Sequence, residues 1–118
     1  MARRIRYSPE EVVINIVSRD MYFRIASIVF SSDRPLHAGE ISYMLRKDGV
    51  LVSREYAYAL LRRMEKWGVV EAVKDPINGK SMFRPSGRKV AKLLKQEIEK
   101  RRMKEMEAML VGDGDVSQ

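Results

Sequence analysis

A chain of 118 residues, 45% of them hydrophobic, has room for one modest core and little more. Its 23 Lys and Arg outnumber 16 Asp and Glu, and the resulting formal charge of +7 favours a polyanionic partner. The absence of Cys excludes a disulfide framework and any thiolate nucleophile or metal ligand. No apolar run reaches the ~18 residues of a membrane span, and the N-terminus lacks a signal-like apolar stretch, so a soluble cytoplasmic protein with no membrane partner is expected.

Residues 1–7 carry Arg3, Arg4 and Arg6 without apolar periodicity and read as a basic arm, either lying along phosphates or simply solvated. Ser8-Pro9-Glu10-Glu11 combines an N-cap, Pro at the first helical position and a Glu placed to complete a capping box. The helical pattern that follows has a broad apolar stripe: Val13, Val17, Met21, Ile25 and Ile28, widened by Val12, Ile16, Tyr22, Ala26 and Val29. It is either one long helix or two that break near Ser18 to Asp20, and its width implies that part of it meets a second protomer.

Ser31 to Pro35 is a polar turn, Leu36 to Ala38 a minimal strand, and Gly39 to Arg46 a short amphipathic helix with Ile41, Met44 and Leu45 inward. Lys47-Asp48-Gly49 ends that helix. His37, the sole histidine, has no second ligand nearby and reads as a surface or turn residue rather than a metal site.

Ser53 to Gly68 is the best delimited segment. Ser53 is an N-cap and Gly68 supplies the positive φ of a helix end. Between them Ala57, Leu60, Leu61, Met64 and Trp67 share one face, while Arg54, Tyr58, Arg62 and Lys66 share the other. Val69 to Lys74 and Ser81 to Pro85 then read as strands joined by Asp75 to Lys80. In that connection Pro76 pre-sets a turn and Asn78-Gly79 provides the positive φ angles of a tight hairpin. A final helix is expected over 89–111, its apolar positions being Val90, Leu93, Leu94 and Ile98, then Met103, Met106, Met109 and Leu110 after a charged gap. Glu97 and Arg101 make a favourable i, i+4 pair. So long a stripe exceeds what a domain of this size can cover, which points to a dimerisation helix. Residues 112–118 have the composition of a disordered tail.

The stretch LVSREYAYALLRRMEKWGVVEAVKDPINGKSMFRPSGRKV resembles the recognition helix, wing and final-helix entry of winged helix-turn-helix regulators of the MarR and PadR type. The resemblance rests on Ser53, Leu60, Leu61, Met64, Gly68, Val69, Val70, Asn78, Gly79, Phe83, Ser86 and Gly87. It implies a mainly α fold with a small β-hairpin wing, the winged domain over 8–88, and long N- and C-terminal helices. It further implies a homodimeric, sequence-specific double-stranded DNA-binding protein, most simply a transcriptional repressor on a palindromic site. Ser53, Arg54, Tyr56 and Tyr58 would then lie nearest the bases of the major groove, with Arg62 on phosphate and Lys74, Asn78, Lys80 and Arg84 as wing contacts. Val13, Val17, Tyr22, Leu94, Ile98, Met106 and Leu110 would form the dimer interface.

An architectural or plasmid-partition protein that spreads along DNA would use the same surfaces. A protein-interaction winged helix within a larger assembly is the reading from another class, and it requires the basic residues to scatter rather than converge. No phosphate-binding glycine loop, acid–base constellation or metal-ligand cluster is present in the sequence, so neither an enzyme nor a cofactor is expected.

Overall fold

A computed structural model describes residues 7–116, with side chains as far as Leu110. Apart from Tyr7, the basic arm expected over 1–7 lies outside the described residues. Helix α1 spans Pro9–Val17 and α2 spans Asp20–Ser31. The Ser8 hydroxyl accepts from the Glu11 N–H at 3.2 Å and the Glu11 carboxylate accepts from the Ser8 N–H at 3.1 Å, a complete capping box. Of the two readings of this region, the broken one holds. The Ser18 hydroxyl donates to the Asn15 carbonyl, and Arg19 adopts an extended backbone, φ −113° and ψ 116°, which interrupts the helical ladder. Asp20 restarts it and binds Arg24 across one turn at 2.8 Å.

Strand β1, Leu36–His37, leads directly into α3, Ala38–Lys47, and a turn through Gly49 leads to α4, Arg54–Lys66. Inside that turn the Ser42 hydroxyl donates to the Val52 carbonyl, which satisfies the most deeply buried polar residue among the described ones, whereas the buried Ser27 hydroxyl of α2 has no partner among them. The Ser53 hydroxyl caps α4 by accepting from the Tyr56 N–H at 3.0 Å, and Gly68 ends it at φ +79°. The inner face of α4 is buried as its periodicity requires: Ala57, Leu60, Leu61 and Met64 are at most 3% exposed. Trp67 is only half-buried and lies against the Tyr22 ring, centroids 5.4 Å apart.

β2, Val70–Lys74, and β3, Ser81–Pro85, form an antiparallel hairpin, and β1 adds to the free edge of β3, giving the order β1-β3-β2. Phe83 stands opposite Leu36 on one side and Ala72 on the other, and its fully buried ring anchors the sheet on the helices. The connection over Asp75 to Lys80 differs from the tight turn expected. Gly79 alone takes a positive φ, +72°, while Asn78 stays outside the left-handed region. The Asn78 side chain instead accepts from the Lys80 N–H at 2.9 Å, and the loop closes by Gly79 N–H to Asp75 O and Asp75 N–H to Lys80 O, both 2.8 Å. Six residues between the strands leave room for these bonds, so a two-residue primed turn is not needed.

Helix α5 spans Lys89–Val116. It continues past residue 111, so 112–116, expected as a disordered tail, extends the helix. The helix runs through Gly112 and Gly114, each of which costs ~1 kcal/mol relative to Ala at such a position. Val90, Ala91, Leu94 and Ile98 are buried, and α5 packs along α1. Two contacts fasten α5 to α2 where that burial ends: the Arg102 guanidinium donates to the Ser31 hydroxyl at 2.6 Å, and Arg101 lies 5.5 Å over the Phe23 ring.

Candidate nucleic-acid interface

The start of α3, the start of α4 and the β2–β3 loop enclose an open groove of about 400 Å³ lined by His37, Ala38, Gly39, Arg54, Glu55, Tyr58, Gly79, Lys80 and Ser81. Two of its walls are the first turns of helices, where unpaired N–H groups and the helix dipole present partial positive charge. The Arg54 stem crosses close to the start of α3: a β-carbon at Gly39 would sit in ordinary contact, 3.4 Å, with Arg54 Cδ. The Arg54 side chain is 68% exposed and among the described residues has only Glu55, at 3.7 Å, as a counter-ion, so its guanidinium is available to a ligand. The Tyr58 and Phe83 rings meet edge to face with centroids 5.9 Å apart, and Tyr58 remains 42% exposed. Lys74 stands directly opposite Ser81 in the β2–β3 register and therefore projects from the same sheet face as that groove residue.

The remaining residues singled out in the sequence divide. Ser53 is committed to capping, and Asn78 to its own loop, so each shapes the site before it could touch anything else. Tyr56 is half exposed on the first turn of α4. Arg62, two turns beyond Arg54, is held by Glu65 at 2.7 Å. Arg84 pairs with Glu71 at 2.9 Å on the sheet face opposite Phe83, so it does not join the groove. Convergence of the basic residues is thus strong for Arg54 and Lys80, partial for Arg62 and absent for Arg84. Arg63 donates to the Tyr22 hydroxyl at 3.2 Å rather than to a carboxylate.

A connection that sequence reasoning missed holds the loop against the body of the domain. His37 Nε2 lies 2.8 Å from Asp75 Oδ2, and because an ionised carboxylate only accepts, the imidazole donates from that nitrogen. Asp75 Oδ1 accepts from the Ile77 N–H at 2.9 Å. That N–H and the His37 ring, in this order of weight, hold the Asp75 carboxyl below the usual carboxylate range. The Asp-Pro-x-Asn-Gly run signals the bond within the loop. Nothing local signals a partner 38 residues earlier. Beneath the groove Glu40 accepts from the His37 N–H at 3.0 Å and from Arg34 at 2.6 Å, and its carboxyl is held low chiefly by that guanidinium.

The dimer assignments also divide. Tyr22, Leu94 and Ile98 are no more than 4% exposed within the protomer's own core, which leaves a partner nothing to cover there, and they are withdrawn as interface residues. Val13 and Val17 are half-buried. Met106 and Leu110 are 60% and 71% exposed and, with Met103, make an uncovered stripe at i, i+3, i+7 spacing on the far half of α5.

No known family model matches the chain, and no curated protein matches it. Solved structures do. A PadR-like transcription factor from Bacteroides fragilis is 17% identical with a TM-score of 0.54, the match covering 86% of this chain and 97% of that one. A PadR family transcriptional regulator from Eggerthella lenta is 18% identical with a TM-score of 0.51, over 92% and 95% of the two chains. The Helicobacter pylori ferric uptake regulator Fur, described with three functional metal binding sites, is 16% identical with a TM-score of 0.53; the match covers 73% of this chain and 64% of that protein.

The fold is a winged helix. In it α3 and α4 form the helix-turn-helix, the β2–β3 hairpin is the wing, and α5 is the long C-terminal helix expected from the sequence. Among the described residues no group of His, Cys, Asp and Glu is arranged to hold a metal ion, and no helix is long and apolar enough to cross a membrane.

Proposed function

We propose that the chain is a homodimeric, sequence-specific double-stranded DNA-binding regulator of transcription, most simply a repressor that occupies a palindromic site. The observation that carries this reading is the groove at the start of α4, where Arg54, Tyr58 and Lys80 meet at the first turns of two helices. Arg54 donates to the O6 and N7 acceptors of a guanine, Tyr56 and Tyr58 contact a thymine methyl or a phosphate, and Lys74 and Lys80 lie on the backbone. The net charge of +7 and the structural likeness to PadR-type transcription regulators support the same partner. Two protomers joined through the far half of α5 would present their α4 helices about one turn of DNA apart, which makes the site two-fold symmetric. Such a protein acts in the cytoplasm on the nucleoid, and it binds rather than catalyses.

The test is a titration of the full chain against random duplex DNA and against its own upstream region at several salt concentrations, beside Arg54→Ala. With about four phosphates neutralised per protomer, the logarithm of affinity should fall with a slope of about −7 for the dimer. Preference for the upstream region that disappears in the variant supports a base-reading regulator. Binding without preference, with footprints that lengthen as protein is added, would replace the repressor by an architectural or partition protein that spreads. No binding at low salt would overturn the DNA reading in favour of a protein-interaction module.

A further inference from the structure

We propose that Ile77, at the tip of the wing, is an apolar wedge that enters the minor groove of duplex DNA and unstacks a base step, so that binding bends the duplex. The proposal rests on the DNA reading above and adds to it a contact that reads deformability rather than base edges. Ile77 is 92% exposed, more than any other large hydrophobic side chain among the described residues. Its backbone is fastened by the Asp75 carboxylate on its own N–H, and Asp75 is in turn tied to His37 on the body of the domain. Pro76 before it has a fixed φ, and a β-branched side chain has few rotamers. The tip therefore loses little conformational freedom on insertion, and ordering cost is what usually penalises a loop contact.

The charge around the tip selects the partner. Lys74 and Lys80 are exposed where the two strands enter and leave the loop, and Arg54 stands across the groove from Lys80. An apolar tip between ammonium groups fits a polyanion with an apolar interior. Duplex DNA is such a partner, with phosphates along the rims of the minor groove and base faces between them. A branched aliphatic side chain gains nothing from phosphate itself, so its benefit requires contact with sugar walls and base faces.

The experiment takes the duplex recovered by selection from random sequence with the wild-type full chain, and compares wild type, Ile77→Ser and Ile77→Leu for affinity, salt slope and DNA bend measured by end-to-end energy transfer. Wild type should bend the duplex by about 20° or more. Ile77→Ser should lose the bend and about tenfold in affinity while keeping the salt slope, because it removes apolar burial and no phosphate contact. Ile77→Leu should restore both. Salt-dependent binding by wild type with unchanged bend and affinity in Ile77→Ser would overturn the wedge and leave the DNA reading standing. A reduced salt slope in Ile77→Ser would also overturn it, since the tip would then be serving phosphate contacts. Failure of wild type to select or bind any duplex would overturn both.

Discussion

If the far half of α5 joins two protomers as proposed, replacing Met106 and Leu110 by Glu should convert that dimer to monomer without unfolding the protomer. The two side chains are 60% and 71% exposed on the far half of α5. Full burial of such a side chain is worth about 1.5–3 kcal/mol, so the exposed remainder of each represents about 1–2 kcal/mol available to a partner. A two-fold dimer contains each position twice, and the double substitution therefore withdraws about 4–8 kcal/mol of gross association energy. It also brings like charges together near the axis. Self-association should weaken by at least about a thousandfold, enough to turn a submicromolar dimer into a monomer at ordinary concentrations. Sedimentation equilibrium measures the constant, and circular dichroism melting should change little because exposed positions seldom move stability by more than about 0.5 kcal/mol. The salt slope for DNA should fall by about half with loss of the second protomer. A variant that still sediments as a dimer with an unchanged constant would refute the assignment of this stripe.

Three further outcomes follow from the protomer itself. Leu61→Ala empties a fully buried position on the inner face of α4 and should cost about 2–5 kcal/mol in denaturant unfolding; a loss under about 1 kcal/mol would mean that the core collapses freely around the gap. Gly68→Ala should destabilise by about 1–2 kcal/mol from its φ of +79°, because the crowding atoms, Arg88 Cδ and a guanidinium nitrogen at 3.0 and 3.1 Å, belong to a flexible side chain that can move away. Asp75 has its carboxyl lowered in the folded state, so its contribution is fully present above the ordinary carboxylate value and fades as pH falls through the folded one. In His37→Ala one of the two main causes of that lowering is removed, and the Asp75 carboxyl should titrate closer to its ordinary value by carbon NMR. An identical titration would show that the ring contributes nothing.

Where local chemistry determines a feature, the sequence was a sufficient guide. Ser8 and Ser53 cap because a hydroxyl beside a helix start has free N–H groups within reach, and the inner face of α4 follows from apolar spacing alone. The site was half legible for the same reason. Arg54 and Tyr58 point outward by helical phase, whereas Lys80 joins them only because the hairpin folds back toward α4. Pairings between distant segments left no mark: His37 with Asp75, Arg84 with Glu71, Arg63 with Tyr22. The same limit misplaced Tyr22, Leu94 and Ile98. An apolar stripe carries no sign of whether its own chain or a second copy covers it, and α1 had already claimed that side of α5.

The pair of contacts at Arg101 and Arg102 divides α5 into a part that belongs to the domain and a part that stands clear of it. Beyond that clasp the helix acts as a rigid spacer, and its register becomes an adjustable parameter. One residue inserted after Arg102 would turn the distal methionine stripe by about 100° and advance it by about 1.5 Å, with no change at Arg54 or the wing. In the proposed dimer the angle between the two α4 helices can therefore be retuned by changing the length of a surface helix, while the chemistry of each groove stays as it is.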